Sequence, residues 1–102
     1  MQKTFAAPSG CPHLAWLAAL AAHAQGTTAD SVLSRSRAQE DIHARFAVMR
    51  ALRRRRGLTL GQIALRFGFD HTTVINGLKR AEALKAESPT FAALAAQLEA
   101  AA

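Results

Sequence analysis

The sequence predicts an all-α fold, a small helical bundle, on two observations. Apolar residues recur at intervals of three and four along most of the chain. No alternating run of Val, Ile, Thr or Phe bounded by turn residues supports a strand. Length and composition agree: 102 residues suit one domain, and a 50% hydrophobic content is enough for a modest core without staples.

Residues 1–13 are expected as a flexible N-terminus. Pro12 opens a first helix in which Leu14, Trp16, Leu17, Leu20, Ala21 and Ala24 share a face, and Gly26 suits the left-handed residue that ends it. Thr28 or Asp30 caps a short second helix carrying Val32 and Leu33, and Ser34-Arg35-Ser36-Arg37 reads as a basic connection. A third helix spans about Gln39 to Arg56, with Ile42, Phe46, Met49 and Leu52 on one stripe. It ends on Arg53-Arg54-Arg55-Arg56 and Gly57, cations that complement the macrodipole and exceed what capping requires.

The next two helices are announced by their starts. Thr59 and Gln62 form a capping box, Leu58 and Ile63 stand at hydrophobic-staple spacing, and the helix runs about Leu60 to Phe67 before Gly68. Asp70 is expected to cap the following helix by accepting from its first amides, with Phe69 and Val74 as a second staple. Ser88 as N-cap and Pro89 at the first position begin a last Ala-rich helix, over 86–102, with Phe91, Leu94 and Leu98 on a stripe expected to pack on the core.

Several function classes recede. The lone Cys11 forms no internal disulfide, fits a reduced compartment, and belongs to no cluster with metal-ligand spacing, so neither metal nor cofactor is expected. No apolar run approaches the ~18 residues of a membrane span. Met1 to Gln25 imitates a signal peptide only loosely, with the single Lys3 as its basic flank. His13, His23, His43 and His71 fall on different elements without a nucleophile or carboxylate pair, so an enzyme is not expected.

Charge is more informative. The net charge of +6 is concentrated in residues 34–85, where 12 Lys or Arg face four acids, the footprint of a polyanion binder. There, two short-linked helices with Ala64 at their crossing, Gly68 at the turn and Val74 in the core make a helix-turn-helix. In such a unit the N-terminal residues of the second helix face base edges in the major groove. These are His71, Thr72 and Thr73, with Asn76 one turn on, while Lys79 and Arg80 suit phosphates. Asp70 caps, and its carboxylate is also able to accept from cytosine N4. Arg53 and Arg54 are further candidates for phosphate contact.

Ile63 to Arg80, IALRFGFDHTTVINGLKR, resembles the signature of the C-terminal DNA-binding domain, domain IV, of the bacterial replication initiator DnaA. Asp-His-Thr-Thr-Val after a Gly turn is its specific core. A weaker likeness extends through Ser34 to Arg37 and back to Thr28, covering about residues 14–85. The resemblance implies a TrpR-like helical bundle with an inserted helix-turn-helix that binds duplex DNA through two grooves. It carries major-groove contact to Asp70, His71, Thr72 and Thr73, minor-groove contact to Arg45, and the basic loop to Arg35 and Arg37. The family usually has Gly-Gly-Arg-Asp-His where this chain has Gly68-Phe69-Asp70-His71, a turn missing one residue and a basic side chain, which is expected to re-aim the following helix and change the sequence it prefers. No phosphate loop of the form GxxxxGK[ST] occurs, and 102 residues are too few for the initiator's ATPase module, so no nucleotide is expected.

The leading expectation is therefore a stand-alone, sequence-specific transcription regulator in the cytoplasm, associated with the nucleoid. An activator of the kind that controls gene transfer agents in alphaproteobacteria is one form of it. One domain covers one half-site, so a homodimer, a second transcription factor or an RNA polymerase component is an expected partner besides double-stranded DNA. Two alternatives stand beside it: a replication-linked accessory protein on origin DNA, and a basic module that meets an acidic protein or a membrane.

Overall fold

The first turns of the helices show why these residues fold as they do. The computed structural model describes residues 12–102 and contains α1 (Pro12–Gln25), α2 (Ala29–Leu33), α3 (Gln39–Arg56), α4 (Leu60–Phe67), α5 (His71–Glu87) and α6 (Pro89–Ala101). The flexible N-terminus expected over residues 1–13 lies outside the described residues but for Pro12 and His13, which begin α1; Cys11 lies outside as well. No strand occurs among the described residues, and the fold is all-α.

Each short connection is closed by a local device. Thr28 caps α2 by accepting from the Ser31 amide at 3.1 Å. At α4 the capping box is complete: Thr59 Oγ1 accepts from the Gln62 amide at 3.0 Å, and Gln62 Oε1 accepts from the Thr59 amide at 2.8 Å. Ser88 caps α6 over Pro89. Gly57 closes α3 in the left-handed conformation.

α3 is the central helix and touches each of the others. Ala44, Ala47, Val48, Met49, Ala51 and Leu52 are all fully buried, so α3 is covered around most of its circumference. α1 meets it through Leu17, Ala18 and Ala21, and α6 through Phe91, Leu94 and Leu98, which pack into the same core. Gly77 lies where α5 crosses α3. A Cβ there would stand 2.9 Å from Met49 Sδ and 3.2 Å from Phe46 Cδ1, closer than atoms pack.

Two expected stripes differ from the packing found. In α1 the core face is Leu17, Ala18, Ala21 and Ala22, while Trp16 is 45% exposed and Ala24 is exposed. α1 packs against α3, and a buried face with three alanines beside Leu17 lets the two helices approach closely. In α3 only Met49 and Leu52 of the expected stripe are fully buried; Ile42 and Phe46 are half-buried and turn toward α5. Arg50, not singled out in the sequence, is 4% exposed; its Nε donates to Glu82 of α5 at 2.7 Å and its Nη1 pairs with Glu99 of α6. One buried cation thus joins three helices through two carboxylates that are themselves partly exposed.

Candidate nucleic-acid interface

The turn between α4 and α5 sets the interface. Gly68 adopts φ 75°, ψ 33°, a left-handed conformation that a Cβ would strain. Its amide donates to Leu65 O at 3.3 Å and the Phe69 amide to Ala64 O at 2.9 Å, the paired bonds of a Schellman closure. Phe69 and Val74 then anchor the chain on the core, Val74 fully buried. Ala64 is 4% exposed at the crossing, as a helix-turn-helix requires.

Asp70 occupies the N-cap position of α5 but differs from the expected cap. It is exposed, and its carboxylate accepts no bond from the first-turn amides. The staple and the Schellman closure already fix how the chain approaches α5, so the carboxylate remains in solvent. The amides at the start of α5 are left without a side-chain acceptor, and such donors suit a phosphate oxygen.

Past that point the exposed residues of α5 divide by direction. Val74, Gly77, Ala81 and Leu84 are buried, so Thr72, Ile75, Asn76 and Lys79 project outward, at steps of three and four. His71 leans toward α4: a Cβ on Gly61 would lie 3.1 Å from its Nε2. Thr73 and Arg80 turn toward α3. There, three adjoining clefts of about 470, 410 and 500 Å³ share Ile42 and Phe46 as a floor and carry Arg35, Arg37, Thr73, Asn76 and Arg80 among their walls. Among the described residues no acidic side chain lines any of them.

The 34–38 loop that supplies Arg35 and Arg37 is built on a carboxylate. Asp41, 3% exposed, accepts from Thr27 Oγ1 and Ser36 Oγ, each at 2.6 Å, and Ser36 Oγ in turn accepts from the Ala38 amide. The Ser36 and Thr27 hydroxyls hold the Asp41 carboxyl below its usual range, against the opposing effect of burial. Arg35 Nη2 donates to Gly68 O at 2.8 Å, across to the helix-turn-helix turn. Arg37 remains exposed.

Not every sequence-derived candidate joins this surface. Arg45 is turned inward, 7% exposed. Its Nε donates to Val32 O at 2.8 Å, and its Nη2 to Ser31 O at 3.3 Å and Ser36 O at 3.2 Å, so in this conformation it braces the loop and is not presented as a free cation. Burial lowers its pKa, and Asp41 opposes that effect. Arg53 and Arg54 stand at the far end of α3, Arg53 donating to Leu58 O at 2.8 Å and Arg54 lying 3.5 Å from Glu99. His43 lines the second cleft, edge-on to Phe91, and its pKa is lowered by burial and by Arg80. Asp41 is not marked in the sequence, where it is one polar residue in a helical run, and His43 is named there only among four scattered histidines.

Among the described residues no helix is long and apolar enough to cross a membrane. No curated protein matches the chain. A family model described as the bacterial dnaA protein helix-turn-helix matches residues 18–81, from the middle of α1 to Ala81 in α5. That is more than half the chain, and it contains the capping box, the Gly68 turn and the first turns of α5. The exposed α5 face and the cationic clefts thus stand on a fold of DNA-binding type: the chain belongs to the bacterial DnaA helix-turn-helix family.

Proposed function

We propose that the protein binds duplex DNA sequence-specifically and acts as a transcription regulator. α5 enters the major groove with Thr72, Thr73, Asn76 and His71 toward base edges, and Asp70 within reach of a cytosine amino group. Arg35, Arg37, Arg80 and Lys79 take phosphates on the flanks. The observation that carries this reading is the outward face of α5 beside walls that hold cations and no acid. Arg53 and Arg54 extend the phosphate contacts from the far end of α3, and Arg45 reaches the minor groove only if it leaves its three carbonyl partners.

One such unit contacts one half-site, so regulation needs a second copy, a neighbouring factor or a polymerase component. A chain acting in this way works at the nucleoid. Selection of sites from random duplexes, followed by footprinting at moderate salt, tests the reading. Enrichment of a defined motif found in promoters, those of gene transfer agent genes among the first to assay, supports it. Enrichment of initiator boxes moves the function to origin DNA, and binding no better than to heparin refutes base readout.

A further inference from the structure

We propose that Phe69 is a specificity-determining positioning residue: its ring holds Arg35 against the helix-turn-helix turn, so that the 34–38 loop and α5 meet DNA as one preformed unit. The proposal rests on the DNA-binding reading above.

Phe69 follows the turn glycine and stacks on Phe67, with ring centroids 5.5 Å apart and planes at 14°, which fixes the orientation of its face. The Arg35 guanidinium carbon lies 5.2 Å from that ring's centroid, and the Arg45 guanidinium carbon 5.8 Å. Arg35 also donates to the carbonyl of Gly68, the residue preceding the ring. Two contacts therefore hold a side chain that is otherwise exposed, across 33 residues of sequence. Arg45, itself held by its bonds to the carbonyls of Val32, Ser31 and Ser36, offers the same ring a second guanidinium.

The consequence is preorganisation. A free surface arginine samples many rotamers and loses that freedom on meeting a phosphate, whereas Arg35 is ordered before contact. A guanidinium has five N–H donors; one goes to Gly68 O, and others remain for phosphate oxygens. Because the ring belongs to the turn that aims α5, the distance between the loop cation and the reading residues Thr72 and Thr73 is set by Phe69. A sequence is preferred only where its bases and its backbone both fit that spacing.

Phe69 also serves the staple with Val74, so the test must separate packing from its aromatic face. Phe69→Leu keeps apolar volume and loses the π face; Phe69→Tyr keeps both. Affinity for a selected duplex is measured by fluorescence anisotropy for the full chain, Phe69→Leu, Phe69→Tyr, Arg35→Ala and the Arg35→Ala/Phe69→Leu pair, with thermal unfolding in parallel. Phe69→Leu is expected to bind roughly three- to tenfold more weakly, and Phe69→Tyr like the parent. In the Arg35→Ala background Phe69→Leu should cost nothing further. An equal loss in both backgrounds, or no loss, overturns the proposal. The order of the Arg35 Nε–H group, followed by ¹⁵N relaxation without DNA, should fall in Phe69→Leu, and unchanged order also overturns it. A parent chain that selects no duplex refutes the DNA-binding reading instead, and the relaxation measurement still decides whether Phe69 orders Arg35.

Discussion

Replacing Arg45 by Met keeps most of the buried stem and removes the guanidinium. The loss falls first on Val32 O, whose bond at 2.8 Å is buried and charge-assisted, a class of interaction contributing about 1.5–3 kcal/mol. The bonds to Ser31 O and Ser36 O are longer and part-buried, and add roughly 0.5 kcal/mol each. Relief from burying a cation offsets part of that, leaving a destabilisation of about 2–3 kcal/mol. For a domain of this size that corresponds to a fall in Tm of about 10–20 °C. Thermal and urea unfolding followed by circular dichroism measure it, and duplex affinity is read at a temperature where both proteins are folded. A Tm within about 3 °C of the parent, together with a large loss of affinity, would refute the brace and make Arg45 a DNA-facing cation.

Thr72→Ala should relax preference at one base pair by about 1–3 kcal/mol and leave the salt dependence unchanged, whereas Lys79→Ala should weaken all duplexes alike and reduce the salt slope by about one; binding isotherms at several salt concentrations separate the two. Because the Asp70 carboxylate makes no cap bond, Asp70→Ala should shift urea-unfolding stability by less than about 0.5 kcal/mol, against the ~1 kcal/mol of a lost cap. Gly77→Ala trades better helix propensity for a clash with Met49 and Phe46 and should destabilise by about 1–3 kcal/mol in the same assay; a gain in stability would show that α3 gives way. His43 has a lowered pKa in the fold, so below the ordinary value of 6.5 the unfolded chain binds more protons and stability falls with pH. His43→Leu should flatten that fall as the pH is lowered through about 6.5, and an unchanged profile would refute the assignment.

What could be read in advance was local. Thr59 and Gln62, or Ser88 and Pro89, act within one turn, and so the starts of α4 and α6 were visible in neighbouring residues. Gly68 was legible for the same reason, because the left-handed conformation belongs to one residue. The direction of a long side chain is decided elsewhere. Arg50 finds Glu99 across 49 residues and Arg45 finds the carbonyl of Val32 across 13, separations that no periodicity encodes. Asp70 differs from the expected cap for a related reason: its residue type suits the position, but the direction of its exposed carboxylate is not set by residue type, and the first amides of α5 stay without a side-chain acceptor. The apolar stripe of α3 misled because a helix covered on nearly all sides has no single buried stripe, and alanines carry little weight in a pattern of large residues.

α6 lies beyond the stretch shared with the family, yet it is wedged into the interior. Phe91, Leu94 and Leu98 lie among the buried residues, and Glu99 meets Arg50 from outside the matched segment. Anyone grafting this helix-turn-helix onto another protein must therefore carry the last helix along. A fusion cut after Lys85 would open an oily trench along α3 and leave Arg50 with Glu82 as its one remaining carboxylate, giving a sticky fragment instead of a portable module.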